Sequence, residues 1–181
     1  MKASTKAYTK GFVASADCTR IGYRQLGSGP GVVLLHGGVN ASQHLMRLGR
    51  ALAGTFTVCI PDRRGRGLSG PIGADYSLRT EDEDLAALLE QTGARNVFGV
   101  ADGALFALHG ALSLPNIEKV AAYEPLLFLD QPGLNNFLGL CSSSTSSWPR
   151  AGWAMPSSPR SRVQVRRNHG LGSLGLCWRR S

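Results

Sequence analysis

The residues best placed to do chemistry in this chain are Gly99-Val100-Ala101-Asp102-Gly103. They lie between an apolar run, Asn96-Val97-Phe98, that reads as a buried strand, and an alanine- and leucine-rich run, Ala104-Leu105-Phe106-Ala107-Leu108, that reads as a helix. Gly-x-x-x-Gly across such a junction is the layout of a strained strand-to-helix turn, which lifts its middle residue above a sheet. A serine there would present a nucleophile for acyl transfer. Ala101 presents only a methyl group, which cannot attack a carbonyl. A shift of register by one residue makes Asp102 the alternative nucleophile, as a carboxylate, but it leaves bulky Val100 where the turn wants a small residue. The plainer reading of Asp102 is an exposed residue that helps to cap the following helix.

The elements that must position this turn alternate regularly. Residues 11–23 suggest two short strands around a polar turn at Ser15-Ala16-Asp17, and Gly27 to Gly31 form a loop. Val32-Val33-Leu34-Leu35 is too short and too continuously apolar for a surface helix and reads as a strand buried on both faces, ended by His36-Gly37-Gly38. Residues 42–53 carry Leu45, Leu48 and Leu52 at helical spacing and close at Gly54. Phe56 to Ile60 is the next strand, stopped by Pro61, and a glycine-rich polar loop, Asp62 to Gly70, follows. Thr80 with Glu83 is a capping-box signature for a helix that carries Leu85, Leu88 and Leu89 on one face and ends at Gly93. Glu81, Asp82, Glu83 and Asp84 in its first turn read as a solvated helix start favoured by the dipole, not as a metal site. After the Gly99–Gly103 turn, a helix ends near Leu114-Pro115-Asn116, and Lys119 to Tyr123 is a fourth buried strand before Glu124-Pro125. Strand and helix in alternation predict an α/β fold, with a mostly parallel sheet covered by helices on both faces.

Composition adds bounds. At 181 residues and 43% hydrophobic, the chain has the length of one domain with a real core. The net charge of +8 is unevenly placed: residues 1–130 hold 13 Lys and Arg against all 12 Asp and Glu, and residues 131–181 hold seven Arg and no acid. The basic excess is therefore a property of the tail rather than of a folded phosphate-binding face, and no nucleic-acid partner is expected. No apolar run approaches the roughly 18–20 residues of a membrane span, and no apolar segment follows the basic start, so a cytoplasmic protein with no membrane partner is expected. Cys18, Cys59, Cys141 and Cys177 lack metal-type spacing and are expected as reduced buried thiols. Residues 141–181 contain no Asp, Glu or Lys. The division expected is a core over 1–140 and a Ser/Arg/Pro-rich tail over 141–181, disordered or translated out of frame.

Three motifs in order, Val32 to Gly38, Asp62-Arg63-Arg64-Gly65-Arg66-Gly67-Leu68-Ser69 and Gly99 to Gly103, resemble the α/β-hydrolase superfamily, and Asn96-Val97-Phe98-Gly99 with Tyr123-Glu124-Pro125 resembles its small fungal and bacterial members. The resemblance covers about residues 12–130 and implies a partial α/β-hydrolase fold, with the C-terminal strands missing and Gly133 to Leu138 as the start of a cap. A full-length member would need roughly another 100 residues. The resemblance places the nucleophile at Ala101 and gives the oxyanion donors to Gly37, Gly38 and the backbone N–H of Asp102. It offers Glu124, after the strand that follows the turn, as an acid. For the base it leaves His169, in the tail, since His44 and His109 match no catalytic position. The implied substrate is a small ester, lactone or thioester, in the setting of secondary metabolism, with no cofactor and no metal. With neither a serine nor a late acid and histidine, the expected outcome is an impaired hydrolase, a non-catalytic ligand-binding or scaffold protein, or a decayed gene product.

Overall fold

A computed structural model describes residues 7–128, 130–143 and 162–166. Strands β1 (Thr9–Ala14) and β2 (Arg20–Leu26) form an antiparallel hairpin, registered from Thr9 opposite Gln25 to Ala14 opposite Arg20. The chain continues through β3 (Gly31–Leu35), α1 (Ser42–Leu52), β4 (Thr57–Pro61), α2 (Leu78–Thr92), β5 (Asn96–Val100), α3 (Asp102–Ser113), β6 (Lys119–Tyr123), α4 (Gln131–Ser143) and β7 (Arg162–Arg166). The sheet order is β1-β2-β4-β3-β5-β6-β7, with β4, β3, β5 and β6 parallel and β7 antiparallel to β6.

Alternation along the strands divides the core in two. Val33 and Leu35 of β3 point into a cluster with Val97, Leu85, Leu88, Leu89 and Phe106, beneath α2 and α3. Val32 and Leu34 point the other way, into a cluster with Val58, Ile60 and Met46, beneath α1. Successive strand residues face opposite sides of a sheet, so a strand apolar at every position requires helices on both. From β3 the chain first moves out to β4 and then crosses back through α2 to β5 on the other side of β3. Ligands of open α/β sheets bind in the crevice that this reversal opens at the strands' carboxyl ends. Here that places Gly37-Gly38, after β3, beside Ala101, after β5.

Four details differ from the sequence reading. Helix α2 is capped by Ser77, whose Oγ accepts the Thr80 N–H at 3.4 Å while its own N–H donates to Thr80 Oγ1 at 2.9 Å, so Thr80 is the third residue of the cap and not its first. Pro61 closes β4 from within: it pairs with Tyr23, beyond the last residue of β4 that pairs with β3, so its missing N–H interrupts no ladder there. Cys18 is exposed and adopts a positive φ of 64° in the β1–β2 turn; Cys59 and Cys141 are buried, and all three are free thiols. Helix α4 runs through residue 140 to Ser143, takes in Gly133 to Leu138 and packs Phe137 and Leu138 against the core, and β7 gives residues 162–166 a place on the sheet. Otherwise the expected tail falls outside the described residues. No helix among the described residues is long and apolar enough to cross a membrane.

Candidate active site

Ala101 stands at the apex between β5 and α3 with φ 55° and ψ −120°, a conformation that L-residues rarely adopt and that usually marks a functional turn. The flanking glycines permit it. A Cβ on Gly99 would lie 2.5 Å from the Cα of Ala104, and one on Gly103 would lie 2.6 Å from the carbonyl oxygens of Leu35 and His36. The backbone of Ala101 is clamped on both sides: its N–H donates to Tyr123 O at 3.0 Å, and its carbonyl accepts the Leu126 N–H at 3.1 Å. A Cβ on Gly37 would lie 3.4 Å from the Ala101 methyl and 3.2 Å from Asp102 Oδ1, so the donor loop rests directly on the elbow.

Asp102 is buried, not exposed. One oxygen of its carboxylate accepts the Gly38 N–H, and the other accepts from Arg63 Nη1 at 2.7 Å. Arg63 is the hub below. Its Nε and Nη2 reach Glu81 at 2.8–3.1 Å, Nη2 also donates to Tyr76 Oη at 2.9 Å, and the guanidinium lies 4.3 Å from the Phe106 ring centre. Burial pushes the Glu81 carboxyl up, but the charge and hydrogen bonds of Arg63 outweigh it and hold Glu81 below the usual range. Arg64 makes a parallel hub, with two bonds to Asp84 at 2.7–2.8 Å and two to Asp17 at 2.8 and 3.4 Å. Glu81, Asp82 and Asp84 are therefore buried partners of Arg63, His109 and Arg64, which corrects the expectation of a solvated helix start. Asp62 is buried beside them: it accepts the N–H groups of Ser42 at 2.7 Å and Leu68 at 3.0 Å and pairs with Arg24 at 2.9 Å, which ties the glycine-rich loop to the start of α1.

The other candidates do not join the elbow. Glu124 is exposed with φ 47°, and among the described residues its carboxylate has no hydrogen-bond partner. His109 pairs with Asp82 at 3.0 Å on the far part of α3, and His44 Nδ1 accepts the Ala41 N–H at 3.0 Å at the start of α1. His169 lies outside the described residues. Among the described residues, no cluster of His, Cys, Asp and Glu could hold a metal. The residues missed in the sequence are Arg63 and Arg64. Two arginines at a strand end, followed after one loop by a run of acids at the start of the next helix, were the signal for them.

His36 is fully buried. Its Nε2 accepts the Arg63 N–H at 3.1 Å, so Nδ1 carries the proton and donates to Gly37 O at 2.8 Å. Burial, reinforced by the Arg63 charge, pushes its pKa down to about 4. Because the folded value lies below the unfolded one near 6.5, the stability contributed by neutral His36 is complete above that pH and is lost as pH falls towards 4. Urea unfolding from pH 7 to 4 is expected to lose up to about 3 kcal/mol by this route. His36→Gln, which keeps an acceptor without a titrating ring, should flatten the curve relative to wild type.

The fold and the site together define an α/β protein built around a strand–elbow–helix turn and a facing donor loop. A family model for the alpha/beta hydrolase fold matches residues 30–146, and the chain belongs to that family. It is 30% identical over 112 residues to the uncharacterized hydrolase YraK of Bacillus subtilis, a match that takes in 59% of this chain and 41% of that protein. Among solved structures, an alpha/beta hydrolase from Sphaerobacter thermophilus superposes with a TM-score of 0.62 at 40% identity, over 67% of this chain and 47% of that one. Epoxide hydrolase A from Mycobacterium thermoresistibile gives a TM-score of 0.63 at 27% identity, over 75% and 46%. The chain thus spans less than half the length of these relatives.

Proposed function

We infer that this chain is a non-hydrolytic member of its family, one that retains the elbow and donor loop of an enzyme acting on a small ester, lactone or thioester and binds such a molecule without turning it over. The observation that carries this reading is the Ala101 methyl at the apex of a preserved, strained elbow. Loss of a triad nucleophile removes the covalent step, and with the Gly38 N–H taken by the Asp102 carboxylate only binding is left in this reading. Asp102 does not take over as nucleophile in this reading, because its carboxylate is buried and held by Arg63. Glu124 has no histidine to orient among the described residues. Family resemblance extends the proposal to a cytoplasmic, secondary-metabolite setting.

The test pairs turnover with binding. Wild type should hydrolyse p-nitrophenyl acetate no faster than buffer, and Ala101→Ser should not raise the rate. A panel of small esters, lactones and thioesters should give at least one saturable thermal shift. Turnover above buffer that disappears in Gly37→Val would establish a hydrolase instead, and a panel with no shift would remove the binding role.

A further inference from the structure

We propose that Asp102 is a built-in anion that occupies the donor loop, so that the elbow refuses anionic ligands as folded, and that its removal opens a site for a small carboxylate. Four observations converge on it. The Gly38 N–H, which faces the elbow, is taken by Asp102 Oδ1. The second oxygen is anchored by Arg63 Nη1 at 2.7 Å, and Arg63 is itself only 2% exposed. The Gly37 carbonyl, in the same peptide unit as the Gly38 N–H, accepts from His36 Nδ1 at 2.8 Å, and the Gly38 carbonyl in the next unit accepts from Arg66 Nε at 2.7 Å, so the backbone on both sides of the donor is held. The carboxylate also stands in the first turn of α3, where partial positive charge from the unpaired N–H groups favours an anion.

An oxyanion arriving over Ala101 would need the donor that Asp102 already holds. It would also stand beside the negative charge of Asp102, a side chain only 3% exposed, and like charges at such short range repel. Glu81, buried on the other side of Arg63, adds to that repulsion, and Arg66 is the facing cation that moderates it. The groups that now bind Asp102, one backbone N–H and one guanidinium Nη, match in number and geometry what a free carboxylate would take. Asp102→Ala removes the carboxylate and keeps the Cβ, and the space and donors it vacates fit formate.

This inference rests on the reading of the elbow as a binding site, and a different measurement tests it. Amide exchange and 1H–15N shifts of Gly38 are followed by NMR in wild type, Asp102→Ala and Asp102→Asn, with sodium formate as the probe and sodium chloride as the ionic-strength control. Wild-type Gly38 should be protected and unmoved by formate. Asp102→Ala should lose protection by about tenfold or more and regain it with a saturable dependence on formate. Asp102→Asn, which is uncharged but still an acceptor, should stay protected and insensitive. The proposal is overturned by an unprotected Gly38 in wild type, by formate moving wild-type Gly38, or by a folded Asp102→Ala with no response. If Asp102→Ala does not fold, the wild-type and Asp102→Asn spectra still decide. Ester turnover by wild type would overturn the proposed function while leaving this contact to its own test.

Discussion

Replacing Arg63 with methionine is expected to destabilise the protein by about 3–5 kcal/mol, the usual cost of removing one partner from a buried ion pair. The value should sit at the upper end because Arg63 serves two carboxylates, Glu81 and Asp102, each no more than 5% exposed. Methionine roughly keeps the volume and the contact with Phe106, so the loss is mainly that of charge rather than of packing. Urea unfolding at pH 7 reads it as a fall in midpoint with little change in slope. The sign of the effect should depend on the partners. The triple change Arg63→Met, Glu81→Leu and Asp102→Leu removes the stranded charges together and should recover most of the stability, since well-packed apolar replacements of buried ion networks are often neutral or better. A single Arg63→Met that unfolds at the wild-type midpoint would show that this network is no buried hub.

The second large effect is expected at Gly103. A Cβ there would stand 2.6 Å from two carbonyl oxygens at the end of β3, Leu35 O and His36 O. Backbone at the centre of a parallel sheet cannot swing aside as a flexible side chain would, so α3 must lift from the sheet and disturb the Phe106 and Ala107 packing beneath it. Gly103→Ala should cost about 2–3 kcal/mol in urea unfolding. Gly139→Ala is the control. It lies exposed within α4, where none of the described residues comes within 4 Å of an added Cβ, and the same chemical change should stabilise by up to about 1 kcal/mol. If both variants lose stability alike, close approach of α3 and β3 is not what Gly103 provides.

These two positions show unequal legibility in the sequence. Gly103 was readable because the requirement is local: strand, glycine, small residue, glycine and helix occur within one short window, and the fold class followed from the same kind of signal repeated four times. The helix cap was readable only to within a few residues, because Ser77 and Thr80 are both capping types and the choice between them rests on one pair of reciprocal hydrogen bonds. The acidic run from Glu81 to Asp84 was misread. Four acids at a helix start are ordinarily solvated, and nothing in that window reports Arg63 and Arg64, which the loop between β4 and α2 folds back against the helix.

What the sequence by itself determined is the order of elements and the chemical identity at the elbow. Covalent identity is independent of folding, so Ala101 lacks a nucleophile in any conformation. What only the tertiary structure decided is the role of Asp102. A carboxylate can be a nucleophile, a cap or a buried counter-ion, and its neighbours through space choose among these. Here the neighbours are Gly38 and Arg63, which the β3 and β4 termini bring to the same crevice. Hydrogen bonding and burial, which act over a few ångströms regardless of separation along the chain, turned a residue read as exposed into the anion at the centre of the site.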